Sequence, residues 1–148
     1  MVKRARPAWA EIDLDAFEEN FRKIKALVRP GTMVTGVIKA DAYGHGAVEI
    51  GKSLLELGVD RFAVATLSEA LQLRKVFKEV PILILGYTPA YAADDVIENN
   101  IIQTMYNVDE AGIFSERAEE SGKKLKVHIK IDSGMSRLGY QPNEDSVD

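Results

Sequence analysis

The chain has no cysteine, which removes disulfides and thiolate metal sites from its chemistry. It has no basic surplus either, with 19 Lys and Arg against 23 Asp and Glu and a formal net charge of -4. A phosphate backbone needs a basic stripe to neutralise it, and the signs here are interspersed, so nucleic acid is excluded as a partner. No apolar run reaches the ~18 residues of a membrane span, so no membrane partner is expected. Lys3, Arg4 and Arg6 begin like the basic part of a signal peptide, but Pro7 and Glu11 follow at once and no apolar region succeeds them. A cytoplasmic location is the default. The acidic groups Asp41 and Asp94-Asp95 come without histidines at ligand spacing, so surface or capping roles are expected and no metal is predicted.

What is present is ordinary globular material, 46% hydrophobic and 28% charged over 148 residues, enough for one core. Asp13 or Asp15 can cap a helix with an apolar stripe at Leu14, Phe17, Phe21, Ile24 and Val28, ended by Pro30-Gly31. Residues 32 to 39 read as a buried strand, and Ala47 to Leu57 as a helix closed by Gly58. Arg61 to Leu67 is the next strand, and Ser68 the expected N-cap of a helix through Phe77. Pro81 opens a strand through Leu85-Gly86, a helix runs through Asp94 to Ile97, and Ile101 to Tyr106 is again a strand. Asn107 and Glu110 have capping-box spacing ahead of a helix that Gly122 stops, and Leu125 to Ile131 is the fifth strand. Five strands, each preceded by a helix, predict a parallel sheet, either an open doubly wound one or a barrel.

One segment carries chemistry. Along Met33, Thr35, Val37 and Lys39 the alternation places the lysine amine on one side of a strand, with Val34, Gly36 and Ile38 on the other. An amine ending an apolar run is poorly hydrated, which favours its uncharged, nucleophilic form. Tyr43 follows, ahead of Gly44 and Gly46, whose backbone amides are expected to approach a bound anion closely. A phosphate-bearing aldehyde suits both ends of this segment. His45 between the glycines is given no role. On Lys126, His128, Lys130 and Asp132 one strand face is polar, a solvated face in an isolated sheet.

Val37-Ile38-Lys39-Ala40-Asp41-Ala42-Tyr43-Gly44-His45-Gly46 resembles the cofactor-lysine motif of bacterial alanine racemases. Ala8 to Ala16 looks like that family's opening, and Lys130-Ile131-Asp132-Ser133-Gly134-Met135-Ser136-Arg137-Leu138-Gly139 resembles its later arginine motif. The three stand in family order. The resemblance implies a (β/α)8 TIM barrel, which needs about 250 residues. Residues 1–148 are accordingly expected to be the N-terminal portion of the cofactor-binding barrel domain, without the family's β-rich C-terminal domain.

It further implies pyridoxal 5'-phosphate as cofactor, bound as a Schiff base on Lys39, which then acts as one of two proton-transferring bases. Tyr43 would hydrogen-bond the cofactor phosphate and Val37 touch its ring. Arg137 would bind near the phenolic oxygen and the substrate, since a guanidinium holds anions but is no base. Lys130 would be buried beside Arg137, and carbamylation would turn it into an anion that pairs there. A deprotonated or Asp132-paired lysine would also satisfy the electrostatics. The implied activity is interconversion of L- and D-alanine for peptidoglycan, by a homodimer in which the partner subunit supplies the second base. Tyr140 is not its counterpart. The 148-residue chain alone is therefore expected to be inactive. Alternatives are a racemase of serine, lysine or ornithine on the same scaffold, or a non-catalytic binder of the cofactor.

Overall fold

Helix α1 (Leu14–Leu27) begins where the Asp13 carboxylate accepts the Ala16 amide at 3.0 Å. Asp13 rather than Asp15 is thus the cap, and Asp15 sits in the first turn, where the helix dipole favours an acid. Of the apolar stripe, Phe17 and Phe21 pack against the core, while Leu14, Ile24 and Val28 stay exposed. The computed structural model describes residues 8–142, so the basic cluster at Lys3, Arg4 and Arg6 lies outside the described residues.

The strands are β1 (Thr35–Val37), β2 (Arg61–Val64), β3 (Ile82–Ile84), β4 (Ile102–Met105) and β5 (Val127–Ile129). Between them come a single turn α2 (Lys39–Tyr43) and the helices α3 (Ala47–Glu56), α4 (Leu67–Val76), α5 (Ala93–Glu98) and α6 (Val108–Glu120), with a short 3-10 turn at Ala90–Ala92 ahead of α5. Every neighbouring pair is parallel, and the sheet order is β1-β2-β3-β4-β5. This order decides between the two architectures left open by the alternation. A doubly wound sheet reverses direction at a switch point and puts its first strand inside, whereas a barrel adds each strand beside the last. The chain therefore forms the N-terminal part of a (β/α)8 barrel.

Two expectations about caps are corrected or sharpened. Strand β2 ends at Val64, earlier than drawn, so the cap of α4 is Thr66 and not Ser68. Thr66 is extended, its hydroxyl accepts the Glu69 amide, and the Glu69 carboxylate reaches back to the Thr66 amide, closing a capping box. At α6, Asn107 accepts the Glu110 amide at 3.0 Å, as its spacing predicts.

The pleat divides the apolar residues into two layers. Ile38, Phe62, Val64, Ile82, Ile84 and Ile101 point outward and form the main core with Ile50, Leu54, Leu73, Phe77, Val96 and Phe114 of the helices. On the other face, Ala63, Leu83 and Ile102 cluster separately, with Leu85 beside them. That inner cluster is the beginning of a barrel interior, which side chains fill in layers.

Candidate active site

Because the strands are all parallel, their C-terminal ends share one rim. Lys39 stands two residues past β1 and Lys130 one residue past β5. Val37 pairs with Ala63, Ala63 with Leu83, and Leu83 with Ile102, so these four share a level and a face. Val37 thus faces the interior. Lys130 is half-buried, and its Nζ donates to the Leu85 carbonyl at 3.2 Å. Strands lie about 4.8 Å apart, so this amine spans β4 to reach the end of β3, which it can do only over the concave face. The polar row Lys126, His128, Lys130 therefore belongs to the interior side rather than to a solvated outer face.

Lys39 is not the last residue of its strand but the first of a left-handed turn. Ala40 (φ 49, ψ 50), Asp41 (φ 54, ψ 47), Ala42 (φ 53, ψ 46) and Tyr43 (φ 56) all adopt positive φ. For non-glycine residues this costs roughly 1–2 kcal/mol each, because Cβ crowds the carbonyl oxygen. Such strain persists only where the surroundings over-determine it. Here Ala42 donates to Ile38 and is itself buried, while Gly44 donates to Ala40 and Asp41. At the exit the Asp41 carboxylate accepts the Ala47 amide at 2.7 Å, which caps α3. At the entry the Ala40 amide donates to Glu69 Oε1 at 2.8 Å. The result is a stiff hook that sets Lys39 Nζ 5.9 Å from the centre of the Tyr43 ring.

The glycine-rich turn is not the anion cradle that its composition suggests. Its amides are spent internally, with Gly44 and Gly46 donating to Asp41, His45 to Ala42, and Ala47 to the Asp41 side chain. Gly44 and Gly46 (φ +85 and +92) serve instead to continue the positive-φ path without strain. His45 Nδ1 lies 3.0 Å from the Ala42 carbonyl, and since a carbonyl can only accept, that nitrogen carries the proton. An anion brought here would meet the exposed phenol of Tyr43 rather than a nest of amides.

Arg137 is exposed, in the loop after β5. Asp132 organises this loop, its carboxylate accepting the amides of Ser136 at 2.9 Å and Gly134 at 3.0 Å. These bonds, with those from the Gln141 side chain and the Arg137 amide, hold the Asp132 carboxyl below the usual carboxylate range. The loop thus occupies the carboxylate that could have paired with Lys130. Gly139 closes the loop at φ +133, where a Cβ would lie 2.5 Å from the Asp132 amide nitrogen. Because the folded-state pKa is depressed, the stabilisation is complete above the ordinary value near 3.9 and is lost as pH falls through the lower folded value. Amide protection at Gly134 and Ser136 should therefore hold at about pH 4 to 5 and fade only in stronger acid. Fading already near neutrality would show that Asp132 does not hold the loop.

Two residues, one beside the site and one at the opposite end of the strands, have structural roles that the sequence does not announce. Glu69 reads only as a favourable first-turn acid, although the Thr66–Glu69 spacing signals a capping box. Arg74, near the end of α4, is buried.

A sequentially ordered parallel sheet with an amine and a phenol on the C-terminal rim of its first strand defines a (β/α)8-barrel domain that keeps its chemistry at the strand ends. The chain belongs to the alanine racemase family, whose N-terminal domain model matches residues 12–148. It is 48% identical to the alanine racemase of Desulfovibrio desulfuricans over 144 residues, which cover 97% of this chain and 39% of that protein. The solved alanine racemase of Clostridium difficile 630 superposes with a TM-score of 0.92 at 49% identity, over 97% of this chain and 38% of that one. A histidine racemase from Leuconostoc mesenteroides shares the fold at TM-score 0.79 and 31% identity, over 86% of this chain and 34% of that one. The chain spans about two-fifths of the length of these alanine racemases and about a third of the histidine racemase.

Proposed function

We propose that the full-length protein interconverts L- and D-alanine with pyridoxal 5'-phosphate, in the cytoplasm, and so supplies D-alanine for peptidoglycan. The observation that carries this reading is the left-handed hook, which stiffly presents the Lys39 amine beside the Tyr43 phenol on the rim of a barrel. The donor set fits an aldehyde-bearing phosphate, with an amine to hold the aldehyde and a phenol to bond the phosphate. Among the described residues no group of three His, Cys, Asp or Glu could hold a metal ion, and no helix is long and apolar enough to cross a membrane.

The cofactor, when bound, supplies an electron sink that makes an amino acid's α-proton removable. Lys39 would hold it through Nζ and would move the α-proton on one face. Tyr43 would donate its hydroxyl to the phosphate, and Val37 would pack against the ring. Arg137 offers its fork of donors to the phenolic oxygen and the substrate carboxylate. Lys130, half-buried on the interior side, adds carbon dioxide with loss of a proton, and the resulting carbamate anion pairs with Arg137. A tyrosine of the partner subunit in a homodimer moves the proton on the opposite face.

The test combines two measurements on the full-length protein. Borohydride reduction should fix a pyridoxyl label on the peptide containing Lys39, and the α-proton of alanine should exchange with solvent deuterium. A label elsewhere sinks the assignment of Lys39, and a label without exchange leaves a cofactor carrier rather than an enzyme. The fold shared with a histidine racemase favours a second reading, in which another amino acid is the substrate. Turnover measured over alanine, serine, lysine, ornithine and histidine decides between them.

A further inference from the structure

We propose that Glu69 is a positioning residue for Lys39, a carboxylate clamp that fixes the entry of the left-handed turn. The proposal rests on the reading of Lys39 as the cofactor lysine. Glu69 spends its two oxygens on different elements. Oε2 accepts the amides of Ala65 at 2.7 Å and Thr66 at 3.1 Å, just past the end of β2. Oε1 accepts the Ala40 amide at 2.8 Å, 29 residues away in sequence, on the residue that follows Lys39. A helix cap accounts for the Thr66 bond alone, since a capping box needs only the reciprocal pair between Thr66 and Glu69.

The Ala40 bond is placed where it controls most. Ala40 is the first of the four non-glycine residues at positive φ, and Lys39 is the last residue before them. The Ala40 N–H lies in the peptide plane that joins Ala40 to Lys39, so this bond fixes the orientation of the plane from which the left-handed path starts. The same oxygens hold β2 beside β1 at the rim, and the half-buried carboxylate keeps its three donors in one place. With the clamp gone, the Lys39–Ala40 peptide plane can turn and carry Nζ away from its place beside Tyr43. A displacement of about 1 Å at a reacting group costs on the order of a hundredfold in rate.

The experiment uses three variants of the full-length holoenzyme and one readout that needs no activity. Glu69→Gln is isosteric but turns one acceptor oxygen into a donor, so either Ala40 or the Ala65-Thr66 pair meets an N–H instead of an oxygen. Glu69→Asp keeps a charge at the start of α4 but falls one methylene short of Ala40. Thr66→Ala removes the cap hydroxyl and leaves the clamp intact. Both Glu69 variants should lower kcat roughly tenfold to a hundredfold with little change in KM, and should alter the absorbance of the lysine-bound cofactor. The Ala40 amide should exchange at least about tenfold faster in Glu69→Asp, and in Glu69→Gln either Ala40 or the Ala65 and Thr66 amides should do so, as expected for a donor that loses its partner. Thr66→Ala should do none of these. If Thr66→Ala reproduces the effects, or if Ala40 exchange in Glu69→Asp matches wild type, the clamp is wrong. Failure of both Glu69 variants to fold also overturns it, making Glu69 a folding residue only. A borohydride label away from Lys39 in the wild type removes the racemase reading instead, while Ala40 exchange still decides whether Glu69 holds the turn.

Discussion

Replacing Lys39 with alanine is expected to abolish racemization, by at least roughly 10³-fold, because one side chain supplies both the covalent anchor and a proton-transferring base. The variant should fold as well as the wild type. Lys39 is half-buried, and its evident contact is the cation–π arrangement with Tyr43, worth about 0.5–1 kcal/mol at an exposed site. The hook itself is held by Glu69, Asp41, Ala42 and the glycines, none of which needs the lysine side chain. Pyridoxal phosphate should still associate through its phosphate, but borohydride should no longer fix it to this segment. Absorbance, labelled-peptide mapping and D-alanine formation, measured beside a urea melt, test each part separately. Retained turnover with the label moved to another lysine would show that the motif was misread. A large loss of stability would show that the hook depends on the amine after all.

How much of this was legible from residues alone depends on the range of the interactions. The strands announce themselves because buried parallel strands are short apolar runs between turn signals, and Phe62 to Val64 or Ile82 to Ile84 have no other good use. The interior side of β5 was legible as polarity but not as direction, since Lys130 is read correctly only once β5 is known to follow β4 around a curve. The left-handed turn was illegible. Ala-Asp-Ala-Tyr has the composition of an ordinary right-handed turn of helix, and only the flanking Gly44 and Gly46 hint at positive φ. The bond that orients the Lys39–Ala40 peptide at its entry comes from Glu69, 29 residues away, and local propensity contains no term for it. The same blindness produced the anion-cradle reading, because two glycines show that backbone can approach a ligand but not whether its amides are already taken. The cap at Thr66 was missed for a smaller reason, a strand drawn three residues too long.

Arg74→Met is expected to destabilise the protein by about 3 kcal/mol or more while leaving the turnover of the folded fraction unchanged. The guanidinium is buried on α4 and spends its donors on backbone carbonyls from two loops, with Phe77, Lys78 and Val80 ahead of β3 and Asn99 and Asn100 ahead of β4, all at 2.8–3.0 Å. Burial presses its pKa down and the Glu79 carboxylate pushes it back up, but an arginine keeps its charge in such a place. Methionine fills much of the same volume and offers no donor, so it isolates the lost bonds. Hydrogen bonds to a charged group contribute about 1.5–3 kcal/mol each and are not additive around one centre, so the lower figure assumes that water or shifted amides recover part of them. Arg74→Lys should fall between, since a point charge cannot serve both loops at once. These loops precede their strands and so lie at the N-terminal face, where a barrel keeps stability rather than chemistry. Lys39 and Arg74 should therefore divide the two properties cleanly, one variant inactive and stable, the other active and easily unfolded. Urea midpoints and kcat measured on the same preparations decide it, and an Arg74→Met midpoint within error of wild type would mean that the loops hold each other without the guanidinium.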